Sequence, residues 1–318
     1  MKEAYNMGAL ELSRDYFLKV ARPALERDCA DVYPRLAAGL VGNGSDRYGF
    51  DDEISRDHDW GVDFYLWTTE EDAGSIGALN EWKRRLFAEH PPSSVAQRSQ
   101  YCLEVNAMTV ADFYRQLIGT PDRPQTLGEW IRVGDENFSL ATNGEVFLDG
   151  AGEFSAIRAR LLEYYPEDLR RKRIAAKCME VAQSGQYNHL RMARRADWVA
   201  TRTTLTRFTE ATIALVFLLN RVYRPYYKWE FRMMRSLPIL GEALAEPLER
   251  LALSPGFGEA ELRAQSEDVE LICAALVAEL HAQGLARSHE SFLTAQGAEV
   301  QASISSEGLR AMPAQHWI

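Results

Sequence analysis

Strand-forming sequence is confined to the first half of this chain. Runs rich in Val, Phe, Tyr and Trp, or alternating in polarity, occur as "RLAAGLVG", "WGVDFYLWT", "YCLEVNAMTV" from Tyr101 and "NGEVFLDG" at 143–150, each bounded by turn-formers. From 154 to about 235 every stretch is helical in pattern, including "FSAIRARLLEYY", "EDLRRKRIAAKCMEVAQ" and "LTRFTEATIALVFLLNRVY", with apolar residues returning at 3.6-residue spacing. Strands first and helices afterwards is the order of an α+β chain or of two separate units. A length of 318 residues accommodates about two domains. The sequence therefore predicts an α+β chain: a small mixed β-sheet core with helices over 1–152, then an all-α helical bundle over 153–318.

Smaller signals fill in this outline. Leu10, Leu12, Tyr16, Phe17, Val20 and Leu25 predict a leading helix over 10–27, bent or broken at Pro23. Ile76, Leu79, Trp82 and Leu86 predict another over 76–88, ended by "HPP". "VADFYRQLIG" reads as a short helix stopped by Gly119, and a further helix spans about 258–282. From 286 onward the pattern is weak.

Charge and cysteine usage narrow the functional classes. A formal net charge of -10 argues against a broad grip on long nucleic acid, which needs clustered Lys and Arg to displace counterions. Cys29, Cys102, Cys178 and Cys273 are far apart with no paired spacing, and read as reduced, buried thiols. "MKEAYNMGALELSRDYF" lacks the uninterrupted apolar core of a signal peptide. The most apolar run, 211–219, falls short of the roughly 20 residues of a membrane span. A cytoplasmic protein with no membrane partner is expected.

The chemistry concentrates at 42–67, "GNGSDRYGFDDEISRDHDWGVDFYLW", with six aspartates and one glutamate. On a strand, Asp57 and Asp59 would point to one face, with His58 turned to the other. Two neighbouring carboxylates repel, and a divalent cation between them relieves the conflict. Hard oxygen ligands of this kind suit Mg²⁺ and phosphate chemistry. Upstream, the glycines of "GNGS" let the backbone approach a ligand closely, with Gly44 N–H and the Ser45 hydroxyl as phosphate donors. Glu104, between Leu103 and Val105, could face the same point from the third strand. Arg47 and Arg56 could reach triphosphate oxygens, and so could Lys228 in "YRPYYKWEFRMMR", where rings beside a cation suit a base and its phosphates. Asp51, Asp52 and Glu53 read as a solvated acidic face. Arg191, Arg194 and Arg195 are spaced for one helix face, either solvated or walling an acceptor pocket.

Gly44 and Ser45, a gap of eleven residues, Asp57-x-Asp59, then Glu104 on a later strand: this order resembles the nucleotidyltransferase superfamily that includes polymerase beta and the aminoglycoside nucleotidyltransferases. More narrowly, "GSDRYGFDDEISRDHDWG", "GEVFLDG", "YYPEDL" and "YRPYYKW" resemble a bacterial family of unknown function that carries this domain followed by helices, over about 42–229. The resemblance implies a two-layer α/β core with a mixed sheet, Mg²⁺ on Asp57 and Asp59, and Glu104 helping to activate the attacking hydroxyl. A second ion between these acids is part of the same expectation. His58 stands where the superfamily commonly has an aliphatic residue, and Glu104 where aspartate is more frequent.

The implied activity is Mg²⁺-dependent transfer of a nucleoside monophosphate from a nucleoside triphosphate to a hydroxyl of a small molecule or a protein, with release of pyrophosphate. Two alternatives stay open: a catalytically inactive nucleotide-binding or protein-interaction module of the same fold, and a nuclease or phosphohydrolase using the same acids.

Overall fold

A four-stranded mixed sheet forms from the strand-rich half of the sequence and helices make up the rest, so the chain is α+β with a helical C-terminal region. The computed structural model describes residues 7–57, 60–92, 94 and 106–318. Two compact units result, Met1–Glu163 and Tyr164–Ile318.

In the first unit the leading helix is α1 (Ala9–Tyr16), a wide π turn (Phe17–Ala21) and α2 (Arg22–Asp28) in direct succession. Proline at 23 has no N–H to donate, and its ring crowds the preceding turn. The helix widens there instead of breaking, and the Arg22 N–H reaches back to the Phe17 carbonyl.

The strands β1 (Ala37–Leu40), β2 (Tyr65–Thr68), β3 (Ala107–Thr109) and β4 (Glu145–Asp149) lie in the order β3-β2-β1-β4. β1 is antiparallel to both β2 and β4, whereas β2 and β3 are parallel. Gly39 lies opposite Tyr65, Leu40 opposite Glu145, and Leu66 beside Ala107. The end of β1 and the starts of the other three strands therefore share one end of the sheet.

Alternation along β2 divides its side chains between two faces. Phe64 and Leu66 join Phe17, Ala21 and Leu25 with Leu79, Trp82 and Leu86 of α3 (Ile76–Glu89). Tyr65 and Trp67 meet Phe113 of α4 (Val110–Ile118), at 5.5 and 5.2 Å between ring centroids. After α5 (Leu127–Arg132) and α6 (Asp135–Thr142), Phe154 of α7 (Glu153–Leu162) stacks on Trp67 at 4.1 Å. Helices thus cover both faces, giving three layers where the resemblance implied two. Burying rings of this size stabilises by roughly 1.5–3 kcal/mol each. Phe154, Ile157 and Leu161 are all buried, which draws α7 into the first unit and moves the division from the expected 152/153 to 163/164.

The second unit is helical throughout: α8 (Glu167–Val181), a π segment (Ala182–His189), α9 (Leu190–Ala193), α10 (Trp198–Asn220), α11 (Tyr227–Met234), α12 (Gly241–Leu253), α13 (Glu259–Ala282), α14 (Leu293–Ala302) and α15 (Glu307–Ala311). α8 packs against α10 and α14. Its charged face is turned to backbone carbonyls at the ends of other elements: Arg170 donates to Leu218 O at 2.9 Å, Arg171 to Ser303 O at 3.0 Å, and Lys172 to Pro313 O and Ala314 O at 2.8 and 3.0 Å. A cation at a helix C-terminus opposes the negative end of the helix dipole, as Arg170 does for α10. The apolar run 211–219 is buried within α10, and among the described residues no helix is long and apolar enough to cross a membrane.

Candidate functional site

The Gly-Ser turn leaves β1 at the sheet end defined above. Asn143 holds it from both sides: its Oδ1 accepts from Gly42 N–H and its Nδ2 donates to Gly42 O, each at 2.8 Å. Gly144 N–H adds a bond to Arg47 O at 3.0 Å. Gly44 takes φ +132°, where side chains are disfavoured, and the space a Cβ would occupy is filled by the Asp46 carboxylate and the Arg47 guanidinium. Residues Ser45–Tyr48 then form one 3₁₀ turn. The Ser45 hydroxyl has no hydrogen-bond partner among the described residues.

Arg47 lies elsewhere than expected. It is buried, with Nη1 2.5 Å from Asp46, and so is turned into the protein and away from a triphosphate in solvent. Burial works against its charge, yet Asp46 overcomes this and holds the guanidinium pKa above its ordinary value.

Most of the acidic segment has structural work. Asp51 accepts from Ala9 N–H and from Trp60 Nε1, both at 2.8 Å, and so ties the start of α1 to the loop. Asp52 caps the 3₁₀ turn Ile54–Asp57 through the Ile54 and Ser55 N–H groups. Asp63 binds Lys83 Nζ at 2.6 Å and the Phe64 N–H at 2.9 Å. Asp57 is exposed at the end of its 3₁₀ turn. It does not stand at the start of a strand as expected, because β2 begins eight positions later, at Tyr65. Before β2, Gly61 takes φ +135°, Val62 N–H donates to Ser94 O, and Asp63 makes the contacts given above. Strand alternation therefore does not orient Asp57.

Asp59, His58 and Glu104 lie outside the described residues, as do Cys102 and the expected strand residues 101–105. Among the described residues no group of three or more His, Cys, Asp or Glu is arranged to hold a metal. Arg56 is exposed, with its guanidinium 4.7 Å over the Trp60 ring. Lys228 belongs to the second unit, where its ammonium lies 5.3 Å over Trp229. Cys178 and Cys273 are buried free thiols, but Cys29 is only partly buried.

Two residues essential to the turn were not picked out from the sequence. Asn143 was visible only as half of an Asn-Gly turn signal, and Asp46 only as one acid among many. A cavity of about 300 Å³ in the first unit, at the C-terminal end of α4, is lined by Arg115, Gly119, Glu129, Arg132 and Asn137 among others, and includes none of the expected site residues.

A family model described as a domain of unknown function (DUF4037) matches residues 130–230. The matched stretch runs from α5 through α10 into α11 and begins downstream of the acidic loop. No curated protein and no solved structure matches the chain.

Proposed function

We propose that this chain is a nucleotidyltransferase of the polymerase-beta-like type, moving a nucleoside monophosphate from a nucleoside triphosphate to a hydroxyl of a small molecule or a protein side chain. Support comes from the sheet topology. The Gly-Ser turn follows β1, Asp57 and Asp59 lie on the connection into β2, and Glu104 lies three positions before β3 in sequence. The end of β1 and the starts of β2 and β3 are at one end of the sheet, which favours this reading.

The donor set suits Mg²⁺. Asp57 is an exposed carboxylate, a hard-oxygen donor of the kind Mg²⁺ takes. Mg²⁺ held by Asp57, Asp59 and Glu104 would neutralise the phosphates and acidify the acceptor hydroxyl. The chain's own part is mostly positioning. The Ser45 hydroxyl and adjoining N–H groups donate to phosphate oxygens, and Arg56 adds positive charge beside the acids. The acceptor oxygen bonds to the α-phosphorus as the bond to pyrophosphate breaks, and its proton passes to Glu104.

The test is incubation with α-labelled ATP, CTP, GTP or UTP, Mg²⁺ and a panel of hydroxylated acceptors, reading pyrophosphate and the labelled adduct. Asp57→Asn and Asp59→Asn should each lower turnover by at least about 100-fold, the order of loss when a group stabilising transition-state charge is removed. Unchanged pyrophosphate release by either variant with a verified acceptor overturns the assignment.

A further inference from the structure

One corner of the second unit is strongly basic. Between residues 187 and 202 the chain carries four arginines and a single aspartate, although its net charge is -10. Asp197 is occupied as the N-cap of α10, accepting from Ala200 N–H at 3.0 Å. Arg194, three residues after Arg191 and the C-cap of α9, keeps helical backbone geometry with its N–H on Leu190 O. α9 stops at Ala193, and Arg194 and Arg195 enter the turn before α10, where Ala196 takes φ +55°. They are exposed and have no carboxylate partner among the described residues.

Aromatic rings flank these free guanidinium groups. Trp198 is 48% exposed and lies parallel to Phe257, with 6° between the planes and 5.8 Å between centroids. Arg202, one helical turn further along α10, sits 4.7 Å over the same Phe257 ring and donates to Ser254 O at 3.2 Å, which fastens the loop carrying Phe257 to the helix. Tyr187 is 44% exposed beneath the Arg191 guanidinium, at 4.4 Å. The rings are thus held in place while leaving surface open to solvent. Exposed rings stack on unpaired bases, and neighbouring arginines take the phosphates between them. An acidic peptide would use the arginines but leave the rings idle, and a duplex would hide its base faces.

We propose that this corner binds a few nucleotides of single-stranded nucleic acid, with bases on Trp198 and Tyr187 and phosphates on Arg191, Arg194 and Arg195. It is a local site on an acidic protein and requires nothing of the transferase chemistry. The test uses the full chain and fluorescence anisotropy with a labelled short oligouridine, over a series of salt concentrations. The wild type should bind, and Trp198→Ala and the double variant Arg194→Glu with Arg195→Glu should each weaken binding about tenfold or more. Trp198→Phe should keep most of the affinity. Replacing the two arginines by glutamine should make the slope of log K against log salt shallower by about 1.4, the value for two lost single-strand phosphate contacts. All these positions are exposed, and far-UV circular dichroism checks that the variants fold. Absence of binding at low salt, unchanged affinity in the variants, or equal competition by polyglutamate, duplex of the same length or anionic vesicles overturns the proposal.

Discussion

Gly44 shows how little freedom the Gly-Ser turn has. An alanine there would meet both a conformational penalty, since φ is +132°, and the Asp46–Arg47 pair. Gly42 also has positive φ, +102°, but nothing lies within 4 Å of its would-be Cβ. Gly44→Ala should therefore destabilise the first unit by more than the roughly 1–3 kcal/mol of backbone strain alone, and Gly42→Ala by about that strain only. Urea titration of both variants checks the ordering. Asp46→Asn should cost about 3–5 kcal/mol in the same assay, because it leaves Arg47 charged, buried and unpaired. In the second unit, His189 is fully buried with Nε2 2.9 Å from Gln265 Oε1 and Nδ1 3.4 Å from Thr204 Oγ1. Burial pulls its pKa below the ordinary value, and nearby Arg202 works in the same direction while Gln265 opposes it. The unfolded chain takes up this proton below about pH 6.5, where the folded chain still resists it, so the contribution of His189 is complete above about pH 6.5 and is lost as pH falls below it. Thermal unfolding on both sides of that pH should show a smaller acid destabilisation in His189→Gln than in the wild type.

Helices and strands were readable from the sequence where periodicity was strong, and unreadable where tertiary contacts supply the order. The runs before β1, β2 and β4 and the stripes of α3, α4, α10 and α13 announce themselves by alternation or by apolar spacing. α14, "LTAQGAEVQA", has no such stripe. It is ordered by bonds that no pattern predicts, such as Gln296 Nε2 to Ser288 O and Glu290 O, and by close approach to α8. The Gly-Ser turn was likewise readable because its glycines are conformational requirements. The fate of Arg47 was not, since burial of an adjacent ion pair leaves no trace in composition. The motif places Asp57 at a strand start, whereas β2 begins only at Tyr65, after a stretch in which Asp51 holds Trp60 and Asp63 holds the Phe64 N–H. Two glycines separate propensity from packing. A Cβ on Gly297 would lie 2.9 Å from Cys178 Cβ and 3.0 Å from the Ala175 carbonyl, whereas one on Gly308, in α15, would meet nothing within 4 Å. Gly297→Ala should destabilise by about 1–3 kcal/mol through overpacking against α8. Gly308→Ala should stabilise by roughly 0.5–1 kcal/mol through helix propensity. Opposite shifts in melting temperature are the check.

At the level of the complete chain, the second unit shows how buried cations are matched to acceptors close by. Within residues 164–318, α8 is the centre: Arg170 serves the end of α10 and Gln283, Asp168 accepts from the Ser305 and Ser306 N–H groups, and Lys172 and Arg173 hold residues 313–318. Burial lowers the Lys172 pKa, so the carbonyls of Pro313 and Ala314 are what keep that ammonium tolerable inside the unit. The acceptors named for these cations, and the helices α8, α10 and α14 that pack together, belong to this unit. A polypeptide of residues 164–318 should therefore fold by itself into a helical domain with one cooperative urea transition, measured by far-UV circular dichroism. Deleting 313–318 from that fragment should leave Lys172 without its acceptors and lower the transition midpoint, by the roughly 1–3 kcal/mol typical of a buried donor stripped of its partner, or more because the donor is charged. Adding Lys172→Met to the deletion should recover part of the loss, since the methionine fills similar space without a charge to desolvate. Recovery in the deleted fragment, but not in the intact one, separates an unpaired cation from a general loss of packing.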